Sequence, residues 1–586
     1  MPESSIIDKI TQIHNGDNDQ INIILSNEKK IIVEAAAGSG KTKVLISFVA
    51  YKIAAKQLSS TKKILALTFS VNAAYKIKKD VIEQIPSILG NKMLNEKNIS
   101  KRVMVSNYHG LCRRILNLYS GKILKFQKRI EEFNIVDDSE ILKKVILTDE
   151  EKELINDFDQ VIKEGNIDKF NSLYSQYNNL ILDKVSISGY LTYNSIITLV
   201  LKIFDENKVI NNQYKSLFEY IVIDECQDTN VLGYELLKKL IDSNTKLLFF
   251  GDSLQRIYGF IGAIPNIMNL LKNDYNMRLV RLNHNYRFED NQNLLLLDRN
   301  IRYNSYNPEL ITDLSHPNII CSNTYESEYT WIINKVKENI ENNSNSTILV
   351  KSFNGNDNTK RLLEKLQEEN IPFFNALFTD EGEEYIDFHR TAYNVFYREI
   401  YEKRKIAKKV LEKCFVEISD KYKDSNNQVY LSLLILLRKF IDSISEISSA
   451  YKFDDLLFFI MDVLLNNGLK QYMNKIDEKV IVATIHAFKG LESDVVFLVD
   501  LERNIFPSYY TCKNCSSVDC SNYDGIESSF IDELSVYYVA ITRARKELFI
   551  SFSKNQLTKF GIKPCKGSCL INLPGIGYDN YLIISE

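Results

Sequence analysis

Apolar runs of strand length alternate along the chain with longer stretches of helical period. IIVEAA (31–36), ILALTFS (64–70), YIVIDE (220–225) and LLFFGD (247–252) are nearly continuous apolar runs ending in small, polar or acidic residues. That is the pattern of strands buried on both faces of a parallel sheet. A second set follows much later: TILVKS (347–352), VIVATIH (480–486), VVFLVDL (495–501) and ELFISFS (547–553). Two clusters predict two separate sheets in an α/β chain. Residues 109–185 and 380–475 carry amphipathic runs such as RKIAKKVLEKC instead, and read as mainly helical insertions. The expected organisation is a first parallel-sheet domain from 1–108 and 186–290, interrupted by the insertion 109–185. A second follows from 291–379 and 476–586, interrupted by the insertion 380–475. The Asn/Ser-rich segments 341–347 and 423–428 read as surface loops.

Length agrees with several cores, since 586 residues is too many for one at roughly 150 residues per domain. Charge changes the picture little: 73 Lys and Arg against 76 Asp and Glu leave a net charge of −3. A nucleic-acid binder with this balance must gather its basic residues into a groove. The longest apolar runs, YLSLLILL and LLFFIMDVLL, fall short of a membrane span, and MPESSIIDKITQ lacks the build of a signal peptide. Nine scattered cysteines, an odd number, fit a reducing compartment, so the cytoplasm is the expected location.

Candidate chemistry concentrates first at AAAGSGKT, residues 35–42, between a strand and a helical run. This is the setting a phosphate loop requires. Backbone N–H groups of Ala35, Ala36, Ala37, Gly38, Ser39 and Gly40 can curl around phosphate oxygens, with the positive end of the next helix behind them. Lys41 supplies a cation to the β- and γ-phosphates, and the Thr42 hydroxyl suits Mg²⁺. ATP is the expected cofactor. Asp224 and Glu225 end a buried strand, where a second acidic motif belongs. Asp224 is the candidate Mg²⁺ ligand, and Glu225 the candidate acceptor of a proton from attacking water.

The string DECQDTN (224–230), taken with AAAGSGKT, resembles the UvrD/Rep/PcrA branch of superfamily 1 DNA helicases, and further motifs follow in order along nearly the whole chain. These are NDQINIIL around Gln20, LALTFSVNAA (65–74), YHGLCRRIL (108–116), GDSLQRIYGFIGA (251–263), NHNYRFED (283–290), VATIHAFKGLESDVVFLVDL (482–501) and DELSVYYVAITRARKELF (532–549). The resemblance implies two RecA-like motor domains and an ATP-dependent helicase or translocase of 3′→5′ polarity. It gives Gln20 the adenine edge, Tyr286 the adenine face and Glu492 the ribose. Gln255 becomes the γ-phosphate sensor, and Arg287 and Arg543 become arginine fingers supplied from the second sheet. It further implies that single-stranded DNA, or a duplex with a 3′ single-stranded tail, contacts Thr68, Phe69, Ser70, His109, Tyr258, Phe260, Thr484 and His486. Three positions depart from the family: Asn72 replaces a lysine, and Arg256 and Ile261 stand where serine and arginine are usual. The insertion 380–475 resembles a shortened regulatory insertion. The short tail after the last motif leads us to expect no fused nuclease.

A second reading makes the chain an ATP-gated DNA-binding subunit whose nuclease or effector partner acts on the DNA. Cys512, Cys515 and Cys520, with Cys565 or Cys569 as a fourth thiolate, have ligand-like spacing for structural zinc. The gap of 45 residues before Cys565 favours instead a plain loop with free thiols.

Overall fold

The computed structural model describes residues 3–69, 71–89, 99, 101–259, 262–352, 357–378, 382–401, 403–425, 427–447, 453–465, 467–514, 528–558 and 561–584. Ser70, Phe260, Ile261, Cys515 and Cys520 therefore lie outside the described residues. The chain forms two compact units, Met1–His284 and Asn285–Glu586.

In the first unit, strands β1 (Lys30–Ala35), β2 (Lys63–Thr68) and β3 (Val103–Asn107) precede a small parallel pair, β4 (Asn134–Val136) and β5 (Tyr190–Thr192). Strands β6 (Phe218–Asp224), β7 (Lys246–Gly251) and β8 (Arg278–Leu282) then complete a six-stranded sheet of order β3-β2-β6-β7-β1-β8. Every pairing in it is parallel. The apolar runs are continuous because the sheet has a core on each face. Ile31, Val33, Ile64, Ala66, Val222, Leu248 and Phe250 pack into one core. Their neighbours Ile32, Leu65, Leu67, Ile221, Ile223, Leu247 and Phe249 pack into the other. Successive strand side chains point to opposite faces, so alternate residues of one apolar run feed two cores. The second core also takes in Phe158, Phe170 and Tyr177 from the mainly helical stretch between β3 and β6.

The second unit contains β9 (Asn318–Ser322), β10 (Ser346–Val350), β11 (Phe374–Ala376), β12 (Val480–Thr484), β13 (Ser493–Leu498), β14 (Ala544–Ser553) and β17 (Tyr581–Ile584). They form a parallel sheet of order β11-β12-β10-β13-β14-β9-β17. Strands β15 (Asn555–Thr558) and β16 (Gly561–Pro564) make a separate antiparallel hairpin. Between β11 and β12 run the helices Glu383–Phe396, Lys408–Tyr422, Gln428–Ile447 and Phe453–Leu465. Among the described residues, no helix is long and apolar enough to cross a membrane.

Candidate nucleotide and DNA site

In a parallel sheet all carboxyl ends share one edge, and ligands of open α/β sheets bind outside that edge. Register brings the first unit's motifs together there. Thr68, the last residue of β2, lies opposite Asp224 on β6 and Asn107 on β3. Glu34 on β1 lies opposite Gly251 at the end of β7.

The loop 36–40 joins β1 to the helix Lys41–Ala54. Gly38 and Gly40 have φ of 76° and 81°, a region that costs any residue with a Cβ. A Cβ at Gly40 would also stand 2.8 Å from the Gln20 side-chain nitrogen. Gln20 is buried and donates from Nε2 to the Ser39 carbonyl at 2.9 Å, while Ser39 Oγ donates to the Ala36 carbonyl at 2.8 Å. The loop is thus folded by its own contacts. Thr42, at the start of the helix, is half-buried.

Lys41 Nζ lies 3.5 Å from a Glu225 carboxylate oxygen. Burial pushes the Asp224 carboxyl up to about 7, with repulsion from Glu225 adding to it and Lys41 opposing. A buried carboxylate of that kind, near a hydroxyl and a phosphate loop, is a hard-oxygen donor set that fits Mg²⁺. Glu225 itself has φ of 56°, in the left-handed region, a strain of about 1–3 kcal/mol of the sort that collects at functional sites.

A chain of hydrogen bonds leaves Glu225. Gln227 Nε2 donates to Glu225 Oε2 at 2.5 Å, and Gln227 Oε1 accepts from the Asp252 N–H at 3.1 Å. Asp252 Oδ2 in turn accepts from Gln255 Nε2 at 2.6 Å. Gln227, Asp252 and Gln255 are all buried. Sequence reasoning assigned roles to Glu225 and Gln255 but missed the two residues between them. The available signal was an amide two positions beyond the candidate Glu225 carboxylate and an acid at the end of the neighbouring strand.

Three residues past Gln255, the half-buried Tyr258 ring stacks on Phe69, with centroids 5.4 Å apart and planes 27° from parallel. Two of the three expected base-stacking aromatics are therefore brought together. Thr68 is fully buried, and its hydroxyl has no hydrogen-bond partner among the described residues. His109 is held neutral: burial lowers it to about 4, with Arg113 nearby acting in the same direction. At a phosphate it would serve as a neutral donor, not a cation. Arg256 Nη1 donates to the Ala263 carbonyl at 2.9 Å, so that guanidinium is engaged by its own loop.

In the second unit, Arg287 pairs with Glu492 at 2.8 Å and donates to the Thr542 carbonyl at 2.5 Å. Two residues expected to meet different parts of one nucleotide thus hold each other here. The buried Arg543 guanidinium donates to the Val539 and Leu491 carbonyls at 2.9 and 3.2 Å and to Thr542 Oγ1 at 3.1 Å. Tyr286 and His486 are half-buried. Thr484 Oγ1 accepts from the Ala487 N–H at 3.1 Å, closing the turn after β12.

A family model for the UvrD/REP helicase N-terminal domain matches residues 17–276, and one for the UvrD-like helicase C-terminal domain matches residues 377–555. The chain belongs to the UvrD/Rep/PcrA-like helicase family. A probable DNA helicase II homolog of Mycoplasma genitalium is 25% identical, over 91% of this chain and 84% of that protein. The ATP-dependent DNA helicase Rep of Buchnera aphidicola is 26% identical, over 90% of this chain and 91% of the relative. The ATP-dependent DNA helicase PcrA of Bacillus subtilis is 24% identical, over 92% and 82%. This UvrD-like helicase is thus an enzyme of the ATP-hydrolysing class, with two parallel-sheet α/β domains.

The cysteine loop is a separate matter. Among the described residues, no three His, Cys, Asp or Glu side chains are grouped to hold a metal. Cys512 Sγ donates to the Pro507 carbonyl at 3.6 Å, and Cys565 Sγ to the Ser553 carbonyl at 2.9 Å. Burial pushes the Cys565 thiol up to about 12. Metal analysis of protein purified without chelator is expected to find no stoichiometric zinc. A value close to one per chain would restore the thiolate site.

Proposed function

We propose that the chain is a 3′→5′ motor on single-stranded DNA that couples ATP hydrolysis to strand movement and displaces the complementary strand. The observation that carries this reading is the hydrogen-bonded path Glu225–Gln227–Asp252–Gln255, which continues along the backbone to Tyr258 stacked on Phe69. One short segment joins the residues expected at water and γ-phosphate to a platform on which a base can stack.

In this reading the loop 35–40 and Lys41 bind the phosphates, and Thr42 and Asp224 hold Mg²⁺. Bound Mg²⁺ would neutralise phosphate charge. Glu225 takes the proton from water as its oxygen bonds the γ-phosphorus. The bridging bond breaks, and its electron pair leaves with ADP. Gln255 senses the γ-phosphate, and Arg287 and Arg543 neutralise charge that grows in the transition state. Tyr286, Gln20 and Glu492 hold adenine and ribose, which requires Arg287 and Glu492 to part when nucleotide binds. Thr68, Ser70, His109, Thr484 and His486 contact phosphates while Phe69, Tyr258 and Phe260 take bases, a sequence-tolerant mode. Cycling between ATP-bound and ADP-bound states alternates the grip on DNA. A DNA substrate fits a cytoplasmic setting.

Two positions favour the alternative of an ATP-gated DNA-binding subunit working with a nuclease or effector: Asn72 and Ile261 stand where the family usually has cations. Strand displacement on duplexes with a 3′ or a 5′ tail separates the two readings. The motor reading expects ATP-dependent displacement from the 3′-tailed duplex alone. Hydrolysis without displacement from either duplex supports the subunit.

The platform gives a further expectation. Phe69→Ala, Tyr258→Ala or Phe260→Ala should each remove about 1–3 kcal/mol of base stacking. Hydrolysis measured with and without oligonucleotide should show the loss in the DNA-stimulated rate. Full stimulation in all three variants would assign these rings to packing.

A further inference from the structure

The helix Glu3–Ile13 is followed by a tight turn, with Asn15 and Gly16 at φ of 50° and 75°, before the helix Asn18–Leu25. Asp17 caps that second helix, accepting from the N–H groups of Asp19 and Gln20 at 2.9 and 3.1 Å. The turn places two buried polar side chains, His14 and Gln20, against each other and against the phosphate loop. His14 Nδ1 bonds Gln20 Oε1, and its Nε2 lies 2.8 Å from Ser47 Oγ, on the helix that follows the loop.

The direction of each bond in this network is forced. The Ser39 carbonyl can only accept, so the Gln20 atom facing it is Nε2. Oε1 then faces His14 and can only accept, so the imidazole proton sits on Nδ1. Nε2 is left as an acceptor, and Ser47 Oγ–H donates to it. Burial lowers the His14 pKa, consistent with a neutral ring.

We propose that His14 is a positioning residue for nucleotide selectivity: by holding Gln20 Oε1 while the Ser39 carbonyl holds Nε2, it prevents the Gln20 amide from flipping and so selects adenine over guanine nucleotides. The inference rests on the reading of Gln20 as the adenine contact. The fixed amide keeps one lone pair on Oε1 and one N–H on Nε2 unspent. Those two groups match the N6 donor and N7 acceptor of adenine. Guanine presents acceptors at both O6 and N7, so a fixed amide meets an acceptor with Oε1. An amide free to rotate could turn its NH₂ toward O6 and lose most of that discrimination.

The test is kcat/KM for ATP and for GTP with the full chain and saturating oligo-dT, in wild type, His14→Ala, His14→Asn and Gln20→Ala. Loss of the hydrogen bond that orients Gln20 should lower the ATP-to-GTP ratio roughly tenfold in His14→Ala. His14→Asn, whose amide can donate from near the Nδ1 position, should recover most of the ratio. Gln20→Ala should collapse it. A wild-type ratio in His14→Ala beside a collapsed ratio in Gln20→Ala overturns the role of His14 and leaves Gln20 as the adenine contact. A wild-type ratio in Gln20→Ala removes that contact, and the inference with it. Equal collapse in His14→Ala and His14→Asn would mean lost packing in place of a lost hydrogen bond, and overturns it as well.

Discussion

Glu225→Gln is expected to bind ATP but hydrolyse it about a hundred- to ten-thousand-fold more slowly, the range for losing a positioned general base. The amide keeps the shape of the side chain, its place beside Gln227 and the strained backbone at φ of 56°. It cannot take a proton from water. Removing the carboxylate also removes the 3.5 Å ion pair with Lys41 and the repulsion on Asp224, so nucleotide affinity should not suffer. Lys41→Ala should differ in kind. It deletes the cation expected to meet the phosphates and leaves Glu225 and Asp224 repelling each other with less counter-charge, so binding and turnover should both fail. Fluorescent-nucleotide titration beside a phosphate-release assay separates the two variants. Turnover by Glu225→Gln near the wild-type rate would overturn its assignment as the base.

Arg543→Ala and Arg287→Ala should lower kcat by about 10³–10⁵ if each acts as a finger on the transferring phosphoryl group, while changing nucleotide Kd far less. The reason is differential: charge spreads over the equatorial oxygens only as the bond breaks, so a cation placed there is worth most in the transition state. Arg543 carries a second risk, because its guanidinium also bonds the Val539 and Leu491 carbonyls. A thermal melt of Arg543→Ala therefore belongs beside its kinetics. Arg287→Ala needs the same control, since its guanidinium also bonds the Thr542 carbonyl, although its ion pair with Glu492 is partly exposed and such pairs contribute at most about 1 kcal/mol. Equal losses in binding and rate would mark either arginine as an ordinary ground-state contact.

The central strands of both sheets were legible because burial on two faces fills the middle of β1, β2, β6 and β7, and of β10, β12 and β13, with apolar residues and leaves the polar ones mostly at the strand ends. The edge strands β8 and β17 were not. RLVRL carries two arginines on a half-exposed strand, and β17 has its two middle residues, Leu582 and Ile583, exposed. The three-residue β11 is too short to show any period. Motif spacing gave the positions of Lys41, Asp224, Glu225 and Gln255, since backbone order at the strand ends fixes what meets there. It could not give Gln227 and Asp252 their roles, nor His14. Each acts through a partner chosen by tertiary packing, and nothing in local sequence says which carbonyl or carboxylate an amide will face. Pairs such as Arg287 with Glu492 were hidden for the same reason, being 205 residues apart.

The central claim is that hydrolysis at Glu225 is tied to DNA through the segment from Asp252 to Tyr258. The rate of ATP hydrolysis by the wild-type chain, measured against rising concentrations of single-stranded oligonucleotide, tests it most directly. The account predicts a low rate without DNA that climbs steeply and saturates as the strand is bound. A rate that is indifferent to single-stranded DNA at every concentration would contradict it.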